Sequence, residues 1–122
     1  MWLVMSMSGC IGVAAAETPS PQAQREIRSL IDALPASGCR FQRNGEWYDG
    51  QTASAHLQRK YDYLLQRGLV ATSEQFIERA ASRSSLSRRA YRVACQGQPE
   101  QPSAEWFGAR LQALRRHETV PP

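Results

Sequence analysis

Apolar side chains recur at helical spacing first at Ile27, Leu30, Ile31 and Leu34, until Pro35 and Gly38 interrupt them. That spacing predicts an amphipathic helix over about residues 22–34. The pattern then changes to a period of two. Cys39 to Arg43 alternates, Asn44-Gly45 follows, and Glu46-Trp47-Tyr48 resumes extended character. Asn-Gly is the preferred pair for a type I′ turn, because both central residues need positive φ, so the segment reads as a β-hairpin.

Asp49 stands where an N-cap would open a second helix, about residues 51–67, with Ala53, Leu57, Tyr61, Leu64 and Leu65 as its core stripe. Thr72 with Gln75 three residues later matches a capping box. The helix it starts buries Phe76, Ile77, Ala80 and Ala81. Tyr91 to Cys95 alternates as a third strand, which Gly97 and Pro99 break. Ser103 then caps a last helix carrying Phe107, Leu111 and Leu114 on one side. The order is α-β-β-α-α-β-α: an α+β fold, four helices packed on one face of a small antiparallel sheet.

The 122 residues suit one domain. Residues 1–16, MWLVMSMSGCIGVAAA, have no charged side chain and end in small residues. They read as a cleaved export signal, too short to span a bilayer. A minority reading takes Met7-Ser8-Gly9-Cys10 as a lipid-attachment site that anchors the chain at Cys10. Residues 17–21 are then a tether, 22–117 the folded domain and 118–122 a tail. Localisation is accordingly periplasmic or secreted, with no transmembrane segment in the mature chain.

Loss of the leader leaves Cys39 and Cys95, an even pair that an oxidising compartment joins as a disulfide. Cys39 begins the first strand and Cys95 ends the third, so antiparallel pairing would set them opposite one another. Closing so long a loop contributes about 4 kcal/mol on chain-entropy bookkeeping. Two thiols and two distant histidines do not make a zinc site. No metal or cofactor is expected.

The net charge is +4, and fourteen of the fifteen basic residues are arginine. For an exported chain this points away from nucleic acid, towards an anionic cell-envelope component or an acidic protein. Arg79, Arg83, Arg88, Arg89 and Arg92 fall close together with no acid among them. Arginine's planar fork suits carboxylate and phosphate. Trp47 and Tyr48 on the hairpin, and His56 and Lys60 one helical turn apart with Tyr63 beyond them, complete the candidate binding surface. A small hydrolase using His56 and a nucleophile from Ser82, Ser84, Ser85 and Ser87 is the alternative. Its motifs are absent: there is no G-x-S-x-G elbow or S-x-x-K, and neither a Gly-rich phosphate loop nor HExxH. No residue is therefore assigned a catalytic role.

Phe41, Arg43-Asn44-Gly45, Tyr48, Ala55-His56-Leu57 and Lys60 resemble the YfeK-like family of small exported bacterial proteins. So do Glu74, Phe76-Ile77, the Ser82–Ser87 cluster and Tyr91. The resemblance covers about residues 25–116. It implies a periplasmic location and supplies no activity. Arg88-Arg89-Ala90 departs from it, standing where a Gly-Lys-Pro type segment often precedes the tyrosine.

Overall fold

In the computed structural model, which describes residues 17–119, α1 runs from Pro21 to Ala36. The Ser20 hydroxyl accepts the Ala23 N–H at 3.1 Å, and Pro21 occupies the first turn, where its missing N–H costs nothing. Pro35 does not stop the helix as expected but lies inside its last turn. Ser37 closes the end, with both its N–H and its hydroxyl donating to Leu34 O. The apolar leader expected over residues 1–16, with Cys10, lies outside the described residues.

The hairpin is β1 (Arg40–Arg43) and β2 (Glu46–Tyr48), with Phe41 opposite Tyr48 and Gln42 opposite Trp47. Asn44 and Gly45 take φ of 52° and 85°, as the type I′ turn requires. Asp49 caps α2 (Gly50–Gln66), its carboxylate accepting the Thr52 N–H at 2.8 Å. Thr72 and Gln75 form both bonds of the capping box that opens α3 (Ser73–Ala80). β3 (Arg92–Ala94) pairs antiparallel with β1. A two-residue strand not expected from the sequence, β4 (Gln101–Pro102), adds itself to β3 before α4 (Ser103–Thr119). The sheet is four-stranded and antiparallel, in the order β2-β1-β3-β4.

Phe41 and Val93 face the helices, and Phe41 meets Trp106 of α4 edge to face at 5.4 Å. Ile27, Leu30 and Leu34 of α1, with Phe76 and Phe107, fill the interior behind them. Leu65, expected in this core, is 37% exposed. Leu57, Tyr61 and Leu64 complete the buried stripe of α2 without it. The register that pairs Arg40 with Ala94 carries one step on to Cys39 and Cys95, which are disulfide-bonded with Cα atoms 4.3 Å apart. Of residues 17–21, expected as a tether, Pro21 belongs to α1 and Glu17 lies against the α2–α3 connection. Pro19 is buried, and Glu17 N–H donates to Gly68 O at 3.1 Å.

A polar knot sits inside the helical layer. Glu26 of α1 is 3% exposed and accepts hydrogen bonds from Ser73 Oγ at 2.7 Å and Arg115 Nε at 3.1 Å. Arg115 also pairs with Glu74, so one arginine of α4 holds α1 and α3. Burial by itself would raise the Glu26 pKa. The hydrogen bonds and charge of Arg115, with those from Ser73 and Gln22, bring it below the ordinary carboxylate value.

Candidate functional site

β1 alternates, so Arg43 points to the same face as Phe41, towards α2. There Arg43 Nη1 donates to His56 Nδ1 at 2.8 Å. A guanidinium has no acceptor, so Nδ1 must offer a lone pair and the imidazole proton resides on Nε2. Nε2 then donates to Tyr91 Oη at 3.1 Å. The same phenol oxygen accepts from Lys60 Nζ at 3.1 Å, and Lys60 also donates to Arg83 O at 3.0 Å. The cluster thus joins β1, α2 and the loop that leads into β3.

Desolvation moves these groups in a common direction, against charge. Burial first, then the positive charges of Arg43, Lys60 and Arg59, lower the His56 pKa to about 4. Burial and Arg43 lower Lys60 to about 8. Burial raises the Tyr91 phenol, partly offset by Arg43. The charges that bear on His56 are those of cations. At neutral pH His56 is a neutral link in a cationic setting. Its basic nitrogen is already committed to Arg43, so it has no lone pair to serve as a general base.

The loop over residues 81–90 docks on the hairpin tip. Ser87 Oγ donates to Asn44 Oδ1, and the Arg89 guanidinium lies over Gly45. Ser84, 5% exposed, organises the loop from inside: its hydroxyl accepts the N–H groups of Leu86 and Ser87, and its carbonyl accepts from Arg88 N–H. Arg88 turns the chain back with φ of 61°, the left-handed conformation that glycine adopts most readily.

The expected site residues divide. His56 and Lys60 come together with Tyr48 nearby, since Arg43 stacks over the Tyr48 ring at 5.2 Å. Trp47 does not join them. It pairs with Gln42, whose other neighbour is Arg92, so Trp47 and Arg92 share the opposite face of the sheet. Arg92 is paired with Glu100, and Arg79 with Glu17 at 3.7 Å. Arg83, Arg88 and Arg89 have no ion-pair partner among the described residues. Glu78 lines the same shallow hollow as Arg83 and Arg88 without pairing with them. Tyr63 stacks on Arg67 at 4.2 Å, away from the cluster.

Ser82 donates to Ile77 O, and no hydrogen bond joins His56 to a serine among the described residues. Nor is there among them a group of three His, Cys, Asp or Glu side chains fit to hold a metal ion. Arg43 and Tyr91 stand among the residues of the resemblance but not among the expected site residues. Their signal was strand parity: a charged and a phenolic side chain on the inward register of Phe41 and Val93.

One family model matches the chain, over residues 21–115, from the first residue of α1 to the arginine that pairs with Glu26. Its description is a family of unknown function (DUF5329). No curated protein matches the chain, and no solved structure does.

Proposed function

The chain belongs to this family of unknown function, and from the chemistry of its own residues we propose a non-enzymatic module that binds an anionic cell-envelope component or acidic protein. The observation that carries the proposal is a basic face built of five cations, none of them ion-paired among the described residues. Arg43 and Lys60, bonded through His56 and Tyr91, adjoin Arg83, Arg88 and Arg89, and the contacts from Ser87 to Asn44 and Lys60 to Arg83 O hold them together. Like charges gathered without paired acids repel one another, and a bound anion relieves that repulsion. Arginine supplies the planar donor pairs that carboxylate and phosphate accept.

Export to the periplasm or beyond belongs to the same proposal. Its support is the apolar leader of the sequence and the disulfide, which forms and persists in oxidising compartments. No helix among the described residues is long and apolar enough to cross a membrane. Placement among YfeK-like proteins is part of the proposal too, resting on His56, Lys60 and the serine cluster. The hydrolase reading with His56 and Ser82–Ser87 lacks its own discriminating feature, a serine hydroxyl bonded to the imidazole.

Binding to immobilised polyglutamate and polyphosphate tests the proposal. Retention should fall steeply between about 0.1 and 1 M salt, as the screening length shrinks from about 10 to 3 Å. Replacing Arg88 and Arg89 together by glutamine should weaken retention while leaving the unfolding midpoint nearly unchanged, and His56→Gln should matter little. Retention that ignores both salt and the two arginines would sink the proposal.

A further inference from the structure

Between the hairpin and α2 lies a cavity of about 50 Å³. Its floor is buried and mostly apolar: Leu34, Phe41, Leu57 and Phe107 are each no more than 7% exposed, and the hydroxyl of buried Ser103 is already donated to Ala81 O. Its rim is polar, and the exposed residues Thr52 and Arg59 stand there with Arg43 and His56. Burial therefore grades from the solvent side inwards, as in a pocket open at one end. Water gains little from such a floor, since an enclosed water needs two to four polar partners.

We propose that this pocket binds a carboxylate bearing a short alkyl group, the alkyl group on the Phe41–Leu57 floor and the carboxylate between Arg43 and Arg59. The size of the void sets the chain length. A cavity of roughly 150 Å³ accommodates benzene, so a void a third as large takes two or three carbons. The rim sets the charge. Arg43 commits Nη1 to His56 and has no acidic partner among the described residues. Arg59 acts on His56 as a further cation. The one acid beside the rim on the hairpin, Glu46, accepts the Tyr48 hydroxyl at 2.8 Å. A planar carboxylate matches the remaining edge of a guanidinium, whereas a neutral or cationic head would leave the rim's charge uncompensated.

Two sources carry this chemistry: a free short-chain acid, and the carboxy-terminal residue of a peptide with a small side chain. The site rests on the binding reading in using the same basic face. It does not involve Arg88 or Arg89, so the two tests fail independently.

The experiment follows the Ala53 methyl and His56 ring resonances of the intact protein during titration with acetate, propionate, butyrate and butyramide. Affinity should rise about four-fold for each added methylene up to butyrate. Butyramide, with the same shape and no charge, should bind at least ten-fold more weakly. Arg59→Gln, an exposed substitution that leaves the fold intact, should weaken butyrate several-fold, and Ala53→Leu should block it by filling the void. An alanine-terminated peptide that outbinds butyrate, and loses affinity when amidated, would identify a peptide end as the source; the converse would identify the free acid. Equal affinity for acetate and butyrate, equal affinity for butyrate and butyramide, or no shift at the Ala53 methyl would each overturn the proposal.

Discussion

Arg43 donates to His56 Nδ1 at 2.8 Å, and this one bond fixes the imidazole as neutral. Protonating His56 would put an N–H against an N–H beside a permanent cation. The ring should therefore titrate near 4 in an NMR pH series, well below the ordinary 6.5. Arg43→Gln should raise that midpoint, because it removes the cation that weighs most on the ring while leaving burial in place. The unfolded chain binds a proton through pH 6.5 and the folded one only near 4. The stability linked to His56 is thus complete above about 6.5 and is lost as pH falls towards 4. His56 remains partly exposed, so after allowance for solvent screening the loss is about 1–2 kcal/mol. Urea midpoints of the wild type and His56→Gln should converge across that window. A His56 midpoint at or above 6.5 would refute the tautomer assignment.

Gly50, the first residue of α2, leaves no room for a side chain. A Cβ there would lie 2.1 Å from Leu34 O and 2.8 Å from Pro35 Cα, both backbone atoms of the α1 terminus. Gly50→Ala must push two helices apart and should cost about 3 kcal/mol. Gly108 of α4 is the control, since a Cβ there meets nothing within 4 Å. Gly108→Ala should stabilise by about 0.5–1 kcal/mol through helix propensity. Denaturant unfolding of the two variants should shift in opposite directions, and a neutral Gly50→Ala would show that the contact relaxes freely.

Much of the fold was legible because its signals are local. Asn44-Gly45 specifies its own turn, Thr72 and Gln75 cap each other, and Cys39 and Cys95 stand at the ends of strands that neighbour in the sheet. β4 was not legible. Two residues carry no periodicity, and the pairing of Gln101 with Val93 depends on where α4 docks. Within the site, Trp47 and Tyr48 were grouped by adjacency, whereas strand parity sends them to opposite faces. The same parity pointed Arg43 inwards. What cannot be read from spacing is the partner that waits there, His56 on α2. Arginine clustering also overstated the patch, because Glu17, far off in the sequence, reaches Arg79, and Glu100, just beyond β3, reaches Arg92.

Glu26 lies on the apolar face of α1, one turn from Ala23 and Leu30, and its partners come from two other helices. Glu26→Ala strands the Ser73 hydroxyl in the interior and deprives Arg115 of a charge partner, at a cost of about 3 kcal/mol. Glu26→Gln keeps the shape and should cost about half as much. The Glu26 pKa is held below its ordinary value, so the contribution of the carboxylate is complete above the normal carboxylate range. It disappears as pH falls through the depressed folded value. The gap in unfolding free energy between wild type and Glu26→Gln should therefore close in acid. A gap that stays constant with pH would mean that shape, and not charge, holds the knot.

Arg88 is left-handed at φ 61°, a conformation that costs a non-glycine residue about 1–2 kcal/mol. Glycine there would relieve that strain and lose about 0.5–1 kcal/mol through its freer unfolded chain. Arg88→Gly should thus be stabilising by about 0.5 kcal/mol. Its neighbour behaves otherwise: Arg89 lies over Gly45, so Arg89→Gly gives up that packing and adds chain entropy, and should destabilise. Arg88→Gln separates charge from strain, since glutamine suffers the same left-handed penalty. If the loop retains arginine for binding, Arg88→Gln should leave the urea midpoint where it is and weaken retention on polyglutamate. Arg88→Gly should weaken retention equally while raising the midpoint. Strain tolerated at a surface turn for no binding benefit would appear as a more stable glycine variant with undiminished retention, and would remove Arg88 from the proposed surface.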